Sequence, residues 1–307
     1  VTIYTLRCSF ILLLHASCVK DSLDDCPPTD ITTNTTIRFD YSWNMLSVNA
    51  FADQVDEVVL FVFDESGMLY RTYHDPGEHV KSNNYAAKLS GLPSGKYEFV
   101  ALANNVLTIH NRLLNFSISP MVVGVSKISD LFVTLHNTKR SSYFDLNLNN
   151  LLIGHLSPSF ISDATDNRLT LSTKKINNNV RVVLIDTADK PISVDDYSVH
   201  IEEHTGNSVI NHKYEVHADG FGLINYYPYY NEKVTAKEGE FNNGNAHERF
   251  NAVASEFAMF RLIENHDVRL IVTDNKTGKE IVNRNLLDLI YLLNSEVHIS
   301  GSMSFQE

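Results

Sequence analysis

Cysteine is scarce. The 307-residue chain holds three, Cys8, Cys18 and Cys26, all within its first 26 positions. This excludes a disulfide framework in the body, and with it a thiolate metal site or a cysteine nucleophile there. Basic charge is short as well: 25 Lys and Arg stand against 37 Asp and Glu, a formal net charge of −12. Nucleic-acid binding needs a basic stripe facing the phosphates, so it is excluded. Electrostatic attachment to anionic lipid is excluded with it, which leaves hydrophobic or covalent attachment to a membrane. Long apolar runs are missing near the N-terminus, where Phe10 to Leu14 falls far short of the roughly 20 residues of a spanning helix. Catalytic signatures are missing too. There is no GxSxG, P-loop, GxGxxG or HExxH; His247-Glu248 opens like the last, but Asn251 stands where the second histidine is required. The 13 histidines show no ligand spacing, so no metal and no cofactor are expected. His200 and His204 read as ordinary residues on one strand face. The carboxylate pairs Asp195-Asp196 and Glu202-Glu203 point to opposite faces of a strand and cannot flank one bond as an acid/base pair does. The expectation is a non-enzymatic protein.

What is present begins with VTIYTLRCSFILLLHAS, residues 1–17. Arg7, then an apolar block, then the small residues Ala16 and Ser17 follow the order of a secretory signal. With Cys18 directly behind, the segment resembles a bacterial lipoprotein signal, in which the cysteine thiol is acylated and the bond before it is cut. His15 holds the position three before the cysteine where Leu is usual, and Leu14 sits one further back. An ordinary cleaved signal with an incidental cysteine is the plainer alternative. The next stretch is acidic and then rich in Pro and Thr. It cannot pack, so residues 18–35 are expected to be a tether. Asp21, Asp24 and Asp25 resemble the signal that sends lipoproteins of Bacteroides-type bacteria to the outer face of the cell. A solvated charge run accounts for them equally well, and Cys26 receives no role.

The body alternates apolar and polar residues, the mark of half-buried strands. VDEVVLFVFDESGMLYRTY (55–73), VHIEEHTGNSVINHKYEV (199–216) and VRLIVTDNKTGKEIVNRNL (268–286) each read as strand, turn, strand. A glycine in each turn permits positive φ. A Pro-Ser-Gly turn feeds a strand over 96–103, and further strands are expected at 36–43, 131–136, 169–172, 179–185 and 257–263. Helical signal is confined to 285–293 and a turn within 123–133. Many short strands with regular turns predict β-sandwiches. VDEVVLFVFDESG (55–67) aligns without gaps to VDDYSVHIEEHTG (194–206), which predicts two similar sandwiches in tandem, 36–155 and 168–307, divided by the polar stretch 154–167. INYYPYYN (224–231) is the most aromatic run. Tyr226, Tyr227, Tyr229 and Tyr230 around Pro228 form either a platform for glycan or partner, or an edge strand packed on its own sandwich. Asn-rich 240–251 reads as a loop.

Together, the signal ending in CVKDSLDDCP, the strand near IRFDYS, the hairpin VDEVVLFVFDESGML, the segment LPSGKYEFVALANN and NNLLIGHLS resemble the FimB-type fimbrial anchor lipoproteins of the Bacteroidales, the minor-fimbria anchor family. The resemblance spans about residues 10–307. It implies two transthyretin-like β-sandwiches in tandem, lipid on Cys18, and a surface-exposed outer-membrane location. It also implies a role in rooting a fimbrium and limiting its length, and it brings no catalytic residues. The partner it implies is a fimbrial subunit, captured by addition of a strand to a sheet edge. Family members continue beyond the terminal SMSFQE, so the second sandwich is expected to be incomplete. Two other readings compete: a fimbrial subunit or tip adhesin, and a glycan-binding surface lipoprotein using the tyrosine run. Subunits of this kind carry a basic protease site ahead of the first strand. Here Lys20 is the only basic residue between Cys18 and Arg38, which favours the anchor.

Overall fold

The computed structural model describes residues 33–44, 47–104, 116–135, 143–148, 150–162, 166–185, 192–218, 222–235 and 251–294. The signal, Cys18, the tether up to residue 32 and all of the Asn-rich loop except Asn251 lie outside them. The described residues form an all-β architecture, as expected. In chain order the strands are β1 Thr33–Asp40, β2 Glu57–Phe63, β3 Leu69–Pro76, β4 Ala86–Leu92, β5 Gly95–Ala103, β6 Phe116–Ile118, β7 Phe132–Leu135, β8 Tyr143–Phe144, β9 Leu152–Ile161 and β10 Asp166–Lys175. There follow β11 Asn177–Ile185, β12 Tyr197–Glu203, β13 Asn207–Asn211, β14 Val216–Ala218, β15 Ile224–Tyr226, β16 Tyr230–Thr235, β17 Asn251–Phe260, β18 Val268–Asp274 and β19 Lys279–Asn285. Helix α1 is the single turn Phe51–Gln54, and α2, expected at 285–293, is Leu286–Asn294. Within the stretch 123–133 the helical turn narrows to Ile128–Asp130.

β2 and β3 form the expected hairpin. Asp64 Oδ1 accepts from the N–H of Ser66 at 2.9 Å and of Met68 at 3.1 Å, and Gly67 takes φ 77°. The hydrogen bond from the Ser66 hydroxyl holds the Asp64 carboxyl below the usual range, joined by those two backbone donors. β2 is buried at every position. Strand side chains alternate between faces: Val58, Leu60 and Val62 enter one core with Ile37, Phe39 and Phe99, while Val59, Phe61 and Phe63 enter the other. The sheet through β2 and β5 is thus a middle layer covered on both sides, which is why β2 reads as one unbroken apolar run.

This sheet has the order β3-β2-β5-β9-β10-β1-β4. β10 pairs in parallel with β1 over Asp166–Ser172, then antiparallel with β9 over Thr173–Lys175. That change of partner bends the seven strands into two layers. Gly154 makes the crossing possible, because a Cβ there would overlap the Leu171 side chain and lie 2.9 Å from Thr173 Cγ2. The stretch 154–167, expected to separate the sandwiches, is instead largely strand: β9 runs to Ile161 and β10 starts at Asp166. Pro158, which reads as a break, lies where the β5–β9 register shifts, so its missing N–H removes no ladder bond. The chain leaves this sheet after Lys175.

The C-terminal half contributes a three-stranded sheet, β11-β17-β16, and a five-stranded one, β19-β18-β12-β15-β8. A four-stranded sheet, β14-β13-β7-β6, draws on both halves, and so does the five-stranded one through β8. The hairpin expected over 199–216 does not form. β12 pairs with β15 and β18, and β13 pairs with β14 and β7. The turn between β12 and β13 carries the chain from one sheet to another. Buried Glu203 accounts for it: Oε1 accepts from Thr205 N–H and Oε2 from Asn207 N–H, each at 3.0 Å. The carboxylate supplies acceptors that a hairpin partner strand would otherwise provide. Gly206 has φ 69°, and its Cα packs so closely on the Gly222 backbone that a Cβ would sit 2.6 Å from the Gly222 carbonyl oxygen.

Candidate functional site

The tyrosine run does not form one platform. Pro228 separates β15 from β16, so the run crosses from the five-stranded to the three-stranded sheet and its rings part company. Tyr226 is 0% exposed; its ring packs 5.5 Å from Phe144 and its hydroxyl accepts from Phe260 N–H at 3.4 Å. Burial drives its phenol well above the ordinary pKa, and it is a core residue, unable to contact glycan or partner. Tyr227 stacks on Tyr143 at 4.2 Å and on His200 at 5.5 Å. Tyr229 donates to Glu256 Oε2 at 2.9 Å, and Tyr230, 48% exposed, donates to Glu232 Oε2 at 3.1 Å. His200 and His204 each contact one oxygen of Glu202, at 3.2 and 3.1 Å, a surface cluster consistent with their reading as ordinary face residues.

A surface suited to an extended ligand lies at β11. Among the described residues it is an outer strand of its sheet, and it spans nine residues, NNNVRVVLI. Val180, Val182 and Leu184 pack against the core, while Val183 and Ile185 are 44% and 49% exposed. Arg181 is the strand's one charge, and it bridges to Glu232 at 2.7 Å and Glu256 at 3.4 Å. Native edge strands are usually blunted by lysine, proline or inward charge; β11 carries none of these and, among the described residues, presents exposed apolar side chains at the border of its sheet.

A third feature lies where the halves meet. Glu98 of β5, His155 of β9 and His212, just past β13, place one ligand atom each within 4.8 Å of one another. His155 Nε2 lies 2.6 Å from Glu98 Oε1, and the rings of His155 and His212 stand 5.0 Å apart, edge to face. His212 is 7% exposed, and its Nδ1 has no hydrogen-bond partner. Burial lowers its pKa, and the neighbouring His155 adds to the effect. Alongside, the Tyr214 hydroxyl donates to the Ile153 carbonyl at 3.0 Å, binding the β13–β14 turn to β9. Burial pushes that phenol to about 12. Lys174 Nζ lies 4.6 Å above the Trp43 ring and 4.9 Å above that of Tyr214. Sequence spacing gave no hint of this cluster, because its members come from three separate strands or turns that only the fold brings together.

No helix among the described residues is long and apolar enough to cross a membrane. No curated protein sequence matches the chain. Among solved structures it is similar to a candidate adhesin from Bacteroides thetaiotaomicron VPI-5482, with TM-score 0.72 and 25% identity over 87% of this chain and 85% of that one. A candidate polysaccharide-binding protein from the same organism gives TM-score 0.70 and 22% identity over 88% and 86% of the two chains. The fimbrial anchor protein Mfa2 from Porphyromonas gingivalis gives TM-score 0.59 and 15% identity over 86% and 85%. The last two establish the shared fold. The profile of one family, described as fimbrillin-A associated anchor proteins Mfa1 and Mfa2, matches residues 23–307. The chain therefore belongs to that family, a family of fimbria-associated surface proteins.

Proposed function

We propose that this protein is a non-enzymatic outer-membrane lipoprotein that roots a fimbrium and helps control its assembly or length. The family match over residues 23–307 carries this reading. Acyl chains on Cys18 fix the base, each buried CH₂ contributing about 0.8 kcal/mol. The acidic stretch behind Cys18 holds the folded body clear of the membrane. The fimbrial subunit then adds a strand along an open edge, and β11 supports this step through its length, its exposed Val183 and Ile185 and its single charge. Strand addition draws affinity from backbone hydrogen bonds and specificity from alternate side chains. The similarity to a candidate adhesin at 25% identity favours a second reading, a fimbrial subunit or tip adhesin. The two readings place the chain differently, at the base of the fimbrium or along and atop it.

The deciding experiment tags the chain near Glu307, solubilises outer membrane of the native host in detergent, and identifies what co-purifies. A fimbrial subunit recovered in stoichiometric amount, together with palmitate labelling that disappears in Cys18→Ala, is the expected result. Labelling that persists in Cys18→Ala sinks the anchoring mechanism. Immunogold label along the shaft and not at its base establishes the second reading.

A further inference from the structure

We propose that Glu98, His155 and His212 form a binding site for a zinc-type divalent transition-metal ion that clamps the two halves of the chain together. Three observations carry this. The donor set is two imidazoles and one carboxylate, and its ligand atoms already lie within 4.8 Å of one another. Such a set suits zinc, with a water completing a tetrahedron. The His212 ring is buried and its Nδ1 lacks a partner, whereas buried ring nitrogens are normally satisfied. The Glu98 and His155 side chains are each 18% exposed, so ion and water have a route in.

The rearrangement needed is of side-chain scale, since separations of up to 4.8 Å have to close by no more than about 1.4 Å. In a tetrahedral site with bonds of about 2.0–2.1 Å the ligand atoms lie about 3.4 Å apart, so the 2.6 Å contact between Glu98 Oε1 and His155 Nε2 has to open by somewhat under 1 Å. Binding requires Glu98 as the carboxylate and His155 as the neutral tautomer protonated on Nδ1, any further proton between the two atoms passing to solvent, so that a lone pair of Oε1 and that of Nε2 both turn to the metal. Burial of His212 already favours the neutral imidazole that a metal requires. The consequence is architectural. Glu98 and His155 sit on the middle layer of the N-terminal sheet, and His212 sits on the β13–β14 turn of the C-terminal half, next to the Tyr214–Ile153 hydrogen bond. A metal there fixes that turn against β9.

The test uses the full chain without a histidine tag, stripped with chelator and titrated with zinc chloride by calorimetry and by thermal unfolding. The expected result is one zinc per chain, saturating at micromolar zinc, with a melting temperature that climbs with zinc concentration as mass action requires. Amide exchange over Asn211–Glu215 slows on zinc addition. Losing a direct ligand costs more than the roughly 10- to 100-fold seen when supporting groups are removed, so His155→Ala and His212→Ala each lose at least about 100-fold in affinity. Glu98→Gln guards against variants that fail to fold: it is isosteric, its metal-free melting curve coincides with the parent's, and its zinc affinity falls similarly. The double variant His200→Ala, His204→Ala binds zinc as the parent does. Absence of saturable binding at micromolar zinc overturns the proposal. So does one-equivalent binding that survives both His155→Ala and His212→Ala.

Discussion

Tyr226 and Tyr230 belong to one run of the sequence and to different environments in the fold. Tyr226 fills the interior between β15 and β17, wholly out of solvent, and Tyr230 lies half exposed on β16. Truncating a buried aromatic costs about 3–5 kcal/mol, through lost transfer energy and the cavity left behind. Tyr226→Ala should lose that much in urea unfolding. Tyr226→Phe should lose little, since the hydroxyl makes only the long 3.4 Å contact with Phe260 N–H. Tyr230→Ala should stay within about 0.5 kcal/mol of the parent, as surface changes do. Equal small effects at both positions would mean that the run lies on the surface after all. Glu203 shows a different burial logic. Its carboxylate is 6% exposed, and it is tolerated because it accepts the N–H groups of Thr205 and Asn207 as the backbone turns out of the sheet. A buried charge is stable only when its acceptors are used.

At the scale of elements, local chemistry was legible in the sequence and pairing was not. The β2–β3 and β18–β19 hairpins announce themselves through turns whose first residue is aspartate and whose glycine takes positive φ: Asp64 with Gly67, and Asp274 with Gly278. In the second turn, hydrogen bonds from the N–H groups of Thr277 and Lys276 hold the Asp274 carboxyl below its usual range. The β12–β13 turn carries the same surface signs, and Gly206 has the same sign of φ as Gly67. The aligned repeat thus located matching strand-and-turn units at 55–67 and 194–206 whose partners differ. Partner choice depends on residues distant in the chain, Arg269 opposite Glu202 on one side and Asn225 on the other, and no local pattern encodes that. The Glu98–His155–His212 cluster escaped for the same reason. β11 carries the element-scale prediction. Val183→Lys with Ile185→Lys places charge on its exposed face, the device by which natural edges repel added strands. Subunit capture in the pull-down should fall at least tenfold, which is about 1.4 kcal/mol of binding. Each solvent-facing change should shift unfolding free energy by no more than about 0.5 kcal/mol. Undiminished capture would move the docking edge away from β11.

At the scale of the whole molecule, the two halves are knitted together by more than a linker. β7 of the N-terminal half pairs with β13 at Phe132–Thr134, and β8 pairs in parallel with β15. The larger core gathers Val59, Phe61 and Val100 from the first half with Ile201, Tyr226 and Phe257 from the second. A domain able to fold alone has its own core and few contacts crossing its boundary, and neither condition holds at Lys175. Unfolding of the full chain is therefore expected to be one cooperative transition. Trp43, the single tryptophan, reports on the N-terminal half, and amide exchange in β12 and β18 reports on the other. The two denaturation curves should coincide, as two-state behaviour requires. A fragment of residues 33–175 loses β13, leaving β6 and β7 as an isolated pair, a marginal unit in water. It also uncovers the apolar face of β2 that the second half covers, and apolar surface left open in this way drives association. It should elute as aggregate or as an expanded species, without a sharp melting transition. Separate transitions in the full chain, or a fragment that melts sharply as a monomer, would show that the shared strands join two bodies already stable on their own; the stability of each half would then have to come from the core of its own sandwich.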